Sequence, residues 1–156
     1  MLKLIRFAGC LGLAMMTASA SNAGPDRFSV LLGSKHIGAT GFNELNPGLF
    51  ATWERETWAY SFGAYVNSYE RGSLAATAHY PLTRWKSGDL SLFGGLAWYP
   101  KDGRRFNTHI AGDVVAIGGL HLRQGHVFVQ LVPMTAGGAD GLLSFGLTWE
   151  TGSFNR

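Results

Sequence analysis

Cysteine is nearly absent, and the one cysteine, Cys10, sits ahead of most of the only sustained apolar run. Phe7-Ala8-Gly9-Cys10 bears a faint likeness to a lipoprotein cleavage box, but there the apolar region should precede the cysteine. Without Cys10 the rest of the chain has no disulfide and no thiol chemistry. Charge is scarce too: Asp, Glu, Lys and Arg make up 15% of the residues, against about a quarter in ordinary soluble domains. No strong basic excess exists. The formal net charge is +3, and Lys3 and Arg6 supply two of the positive charges at the very start. The remaining body is nearly neutral, which excludes the concentrated basic face of a nucleic-acid partner. Beyond the N-terminal run, no stretch reaches the roughly 20 apolar residues of a membrane helix.

The first residues have the layout of an export signal. Lys3 and Arg6 form a positive region, Leu11-Gly12-Leu13-Ala14-Met15-Met16 an apolar one, and small residues follow from Ala18 to Ala23. Ala18-Ser19-Ala20 and Ser21-Asn22-Ala23 both fit small-x-small cleavage, and the apolar run is too short to span a bilayer. The expectation is a leader over residues 1–23, cut after Ala23, and a single domain over residues 24–156, within the common single-domain size.

Glycine is plentiful, at 22 residues, and aromatics reach 13%. They are arranged with period two. From Thr57 to Ser68, Trp58, Tyr60, Phe62, Ala64 and Val66 share one face, and Thr57, Ala59, Ser61, Gly63, Tyr65 and Asn67 the other. The same alternation runs through Ser73–Tyr80, Leu90–Tyr99 and Leu143–Glu150. Weaker runs cover Phe28–Lys35, Leu49–Glu54, Val114–Arg123 and Val127–Pro133. Eight strands with large apolar residues on one face and mostly Ser, Gly, Ala and Thr on the other predict an eight-stranded antiparallel up-and-down transmembrane β-barrel, apolar toward lipid. A soluble sandwich or lipocalin-like barrel would place the large apolar residues inside, where these small residues would make a poor core.

Connection lengths agree. Arg55-Glu56, Arg84–Asp89 and Arg123–His126 are short; Lys35–Asn46, Lys101–Asp113 and Pro133–Gly141 are longer, and Asn67–Gly72 falls in the same set. Short periplasmic turns facing longer outer loops mark outer-membrane barrels. One feature departs from that class: after the last strand the chain continues through Thr151 to Arg156 and does not end on an aromatic.

The five histidines, His36, His79, His109, His121 and His126, form no close pair in sequence, so no metal site is expected. No glycine-rich phosphate loop and no Gly-x-Ser-x-Gly elbow is present. What remains is rim chemistry. His36 ends the first strand and Asn67-Ser68 the third, so the topology brings all three to the outer rim. Histidine can take a proton from a serine hydroxyl near neutral pH, and Asn67 could orient His36 or donate to an oxyanion. Ser and Asn at strand ends also cap turns, which is the plainer role.

These residues resemble those of the lipid A palmitoyltransferase family, eight-stranded outer-membrane enzymes. That family carries a His after strand one, matched by His36, and an Asp-Ser pair after strand three, matched by Asn67-Ser68 with Asn in the Asp position. Phe42-Asn43-Glu44-Leu45-Asn46-Pro47-Gly48 resembles its aromatic-Asn-Glu segment with a proline entering strand two. Val132-Pro133-Met134-Thr135 resembles its Ile-Pro-Gly-Thr. The family's amphipathic helix before strand one has almost no residues here. Its further prolines are missing from Phe28–Gly33 and Val114–Leu122. The resemblance implies transfer of an acyl chain from a phospholipid to lipid A of lipopolysaccharide at the outer membrane, by a monomer, without metal or organic cofactor. His36 would act as base or hydrogen-bond partner, Ser68 as activated hydroxyl and Asn67 as orienter. Gly63, Gly95 and Gly146 would leave luminal room for one acyl chain. Pro47 and Pro133, which have no N–H to give a ladder, would mark seams for lipid entry. Two alternatives stand beside it: a non-catalytic surface barrel for adhesion or shielding, which a filled polar lumen would favour, and a lipid A deacylase, for which no close His-x-Ser lies near the chain end.

Overall fold

The computed structural model describes residues 24–133 and 138–152. The expected leader with Cys10, the Met134-Thr135 half of the last motif and the tail from residue 153 lie outside these residues. The described chain is built from strands: β1 (Arg27–Ile37), β2 (Gly48–Glu54), β3 (Ala59–Val66), β4 (Gly72–Trp85), β5 (Gly88–Trp98), β6 (His109–Ala111), β7 (Val114–Gln124), β8 (Val127–Pro133) and β9 (Gly141–Glu150). Neighbours in the order β5-β4-β3-β2-β1-β9-β8-β7 pair antiparallel, and a β5–β7 ladder closes the ring. Three-residue β6 only folds back on the start of β7. The wall is therefore a closed eight-stranded antiparallel barrel, made of the eight segments with period-two patterning. Among the described residues no helix is long and apolar enough to cross a membrane.

Alternation sets which side faces out. Tyr60, Phe62, Leu92, Leu96, Trp98, Leu143 and Phe145 are exposed on the outer surface. Ser61 across from Thr52, Ser91, Ser144 and Thr148 point inward. Because the side-chain period is two, a one-residue slip would exchange the faces, so this pattern specifies the register. The bulge between Pro81 and Thr83 lies where β4 has outrun β3, whose ladder ends at the Ala59–His79 pair. Pro81 therefore has no β3 partner to deprive of a hydrogen bond.

The interior differs from the expected small-residue lumen. Phe93, Tyr99 and Phe128 are buried inside, with Phe50 and Tyr65 packed nearby. The glycines also serve a different end. A Cβ at Gly63 would collide with the Phe50 ring, and one at Gly146 with the Phe128 ring. One at Gly95 would strike the Ala76 carbonyl. These three positions accommodate neighbouring rings and backbone, and none borders the luminal cavity described below.

The turns Arg55–Trp58, Trp85–Gly88 and Gln124–Val127 lie at one end of the barrel. The entry to β1 and the exit from β9 meet there, with Asp26 N donating to Thr52 O at 2.8 Å and Thr151 N to Asp26 O at 2.9 Å. The longer connections lie at the opposite end, called the outer rim below.

Gly63→Val should lower stability by about 1–3 kcal/mol, since its branches must displace Phe50 from a filled site. Gly94→Val, whose Cβ would meet only Ile117 O at 3.9 Å, should be neutral or stabilising. Urea-unfolding midpoints of the two refolded variants check the contrast.

Candidate functional site

His36 and the Asn67-Ser68 turn both stand at the outer rim, and one segment joins them. The ring of Phe42 stacks on His36 at 4.2 Å between centroids and 14° between planes. Asn43 N donates to Ser68 O at 3.1 Å. Glu44 O accepts from Ser34 N at 2.9 Å, and Asn46 Oδ1 accepts from the Ser34 hydroxyl. Asn46 Nδ2 donates to Val66 O at 3.1 Å, and Val66 N donates to Pro47 O at 2.9 Å. Residues Phe42–Pro47 thus strap β1 to β3 across the outer end of β2. The aromatic-Asn-Glu stretch noted in the sequence is this strap.

His36 is 3% exposed, and neither ring nitrogen has a hydrogen-bond partner among the described residues. Burying an unpaired imidazole is costly, and both ring nitrogens are themselves closed off from solvent. Asn67 has the opposite character. It is 1% exposed, and its Oδ1 accepts from Tyr69 N at 2.8 Å and Arg71 N at 3.1 Å. Its Nδ2 donates to Ser73 Oγ at 2.9 Å. These bonds form an Asx-type turn, so the Asn67 side chain holds its own loop and not the His36 ring. Ser68, the next residue, is half-buried on that turn.

Below the rim the lumen holds a cavity of about 370 Å³, within the usual range of small-ligand pockets. Tyr65, Tyr99 and Phe106 line its upper part, and His79, His121 and Arg27 its floor. Its side reaches Ala116, Ile117, Gly118, Val132 and Pro133. The ladder is missing at that place. β7 and β8 pair only from Leu120–Leu131 to Gln124–Val127, whereas β5 and β7 pair along their whole length. Val132 and Pro133 pair with β9 alone. A second interruption lies between β1 and β2, whose ladder stops at Leu31–Gly48, next to Pro47. There the strap fills the gap. Each proline thus borders an interrupted ladder on one side and keeps partners on the other.

The inner half of the barrel contains residues that the sequence did not single out. Arg27 pairs with Glu54, and Arg123 Nε lies 2.8 Å from Asp89 Oδ2. His79 and His121 meet at 5.1 Å between ring centroids, edge to face. These two histidines, far apart in sequence, thus pair in space. Their inward parity was readable, but their meeting across β5 needed the closed wall. No group of three metal-ligating side chains occurs among the described residues.

In the rim loops, Glu44 and Tyr69 have shifted proton affinities. The Lys35 ammonium, hydrogen-bonded to Glu44 at 3.1 Å, holds that carboxyl below its ordinary range. Burial pushes the Tyr69 phenol above its ordinary value.

Asn67→Ala should destabilise the barrel by about 1–3 kcal/mol, leaving two backbone donors and the Ser73 hydroxyl unpaired. Asn67→Asp should be close to neutral, because Tyr69 N, Arg71 N and Ser73 Oγ–H can all donate to a carboxylate. Urea titrations of the two variants separate these outcomes. No protein-family model matches the chain, and no curated protein sequence does.

Proposed function

We propose that the barrel sits in the outer membrane and transfers an acyl chain from a phospholipid to lipid A. The observation that carries this reading is the buried His36 imidazole, left without a hydrogen-bond partner among the described residues, strapped to the Ser68 turn at the same rim as a hollow upper lumen. His36 accepts the Ser68 proton as Oγ attacks the ester carbonyl of the phospholipid. The lysophospholipid leaves as an alcohol after taking a proton from the His36 imidazolium. A lipid A hydroxyl then attacks the acyl-serine, giving its own proton to His36 and thence to Ser68 Oγ. Asn67 contributes by fixing the turn that presents Ser68. The cavity receives the chain, and the gap between β7 and β8 at Pro133 offers it a lateral path. No metal or organic cofactor takes part, and a monomer suffices.

A lipid-facing surface is supported by the apolar belt and its borders. Trp58 and Tyr80 meet at 5.1 Å near the inner turns, and Trp98 stands at the outer end of β5. Aromatic girdles at both ends of an apolar wall suit the two interfaces of a bilayer. Phe62, 52% exposed in mid-strand, tests this directly. Phe62→Arg should cost about 2–4 kcal/mol when the barrel is refolded into phosphatidylcholine vesicles. A change near zero would place that face in water.

The competing reading is a non-catalytic surface barrel, favoured by the ion-paired polar inner half of the lumen. Mass spectrometry of lipid A from cells expressing the chain decides between them. One added acyl chain is expected, absent with Ser68→Ala although that barrel still folds, and retained with Asn67→Asp. Lipid A that is unchanged by the wild-type chain, or fully acylated by Ser68→Ala, overturns the acyltransferase.

A further inference from the structure

At the outer rim, two guanidinium groups share one buried carboxylate. Asp102, 1% exposed, precedes the short 3₁₀ turn Gly103–Arg105. Arg71 Nη1, from the Asn67 turn, donates to Asp102 Oδ2. Arg105 Nε lies 3.0 Å from Oδ1, an ion pair without a well-directed hydrogen bond. The Arg105 guanidinium also lies 5.0 Å above the Tyr69 ring. Both arginines are therefore held at their inner edge, while their side chains remain 41% and 62% exposed. One carboxylate against two guanidiniums leaves a positive charge. Arg104 and Lys101, both exposed, add to it, and Glu70 and Asp113 partly offset it. Asp113 is already engaged, since its Oδ2 accepts from Lys101 N at 2.8 Å. Fixed, part-exposed guanidinium forks match the geometry of a phosphate.

The surroundings narrow the ligand. Phe106, next in sequence to Arg105, lines the cavity and packs on Tyr99 at 4.6 Å between centroids. Tyr69, beneath Arg105, follows Ser68 directly and meets Phe42 at 5.8 Å. The anion site therefore adjoins both the apolar cavity and the candidate serine. We propose that Arg71 and Arg105, held by Asp102, bind the phosphate of a glycerophospholipid whose acyl chain enters the luminal cavity. This deepens the donor side of the acyltransferase reading and rests on it for the identity of the cavity's occupant.

Calorimetric titration of the full mature barrel in neutral maltoside micelles tests the site without turnover. Dioctanoylphosphatidylcholine should bind roughly tenfold or more tightly than dioctanoylglycerol, which has no phosphate. The Arg71→Gln/Arg105→Gln double variant should bring the two to near parity. Arg105→Lys keeps a cation beside Asp102 but loses the fork. It should lose several-fold, and heat-modifiable gel migration checks that both variants fold. Equal affinity for the two lipids, or a folded double variant that still discriminates, overturns the proposal. So does inorganic phosphate or lipid A bound more tightly than the phospholipid. A wild-type barrel that prefers the phosphate but leaves lipid A unacylated overturns the acyltransferase alone. One that acylates lipid A yet binds both probes equally overturns the phosphate site alone.

Discussion

The first strand has to pair with the last. Each wall strand can satisfy its backbone N–H and C=O groups only sideways, and an open sheet always leaves two edges unpaired. Here β1 meets β9 from Arg27–Glu150 to Ile37–Gly141, with one bulge between Leu31 and Gly33. That ladder turns a row of hairpins into a tube and divides every strand into an inner and an outer face. Both the apolar belt and the luminal cavity exist because of it.

Closure is complete at the inner end and partial at the outer one. Near the inner turns, the β7–β8 and β1–β2 ladders are intact, and ion pairs such as Arg27–Glu54 line the lumen. Toward the outer rim both ladders stop, and the chain finds other partners. On its β2 side Ser34 bonds to Glu44 and Asn46 instead of that strand, and Ala116 N turns to Thr108 O at 2.9 Å. Irregular backbone of this kind brings unlike side chains together. His36, Ser68 and the Arg71–Asp102–Arg105 cluster all lie where the regular pairing has ended.

The division of the lumen follows from side-chain size. Phe50 over Gly63 and Phe128 over Gly146 pair a large inner ring with an absent side chain, which keeps the tube closed without overpacking. Where Ser61, Ala75 and Thr77 stand on the inner wall the side chains are small, and the cavity borders them. Below it the His79–His121 contact forms a polar floor against Phe93 and Phe128.

Alternation in the sequence was enough for the strand count, the direction of each hairpin and the outward face of Trp58, Tyr60 and Phe62, because period two is a local property of an extended chain. Strand direction likewise put His36 and Ser68 at one rim before any coordinates. The same pattern could not distinguish an inward glycine that opens a cavity from one covered by a ring. That depends on the cross-strand neighbour, which register decides. Nor did it disclose that Asn67 bonds to its own turn, that His79 meets His121, or that Asp102 gathers arginines from two loops. These contacts join residues between two and 42 positions apart. A side chain's partner, whether near in sequence or far, is chosen by the three-dimensional path of the backbone. Here that path was decided by the closed ring of ladders and by the places where the ladders end.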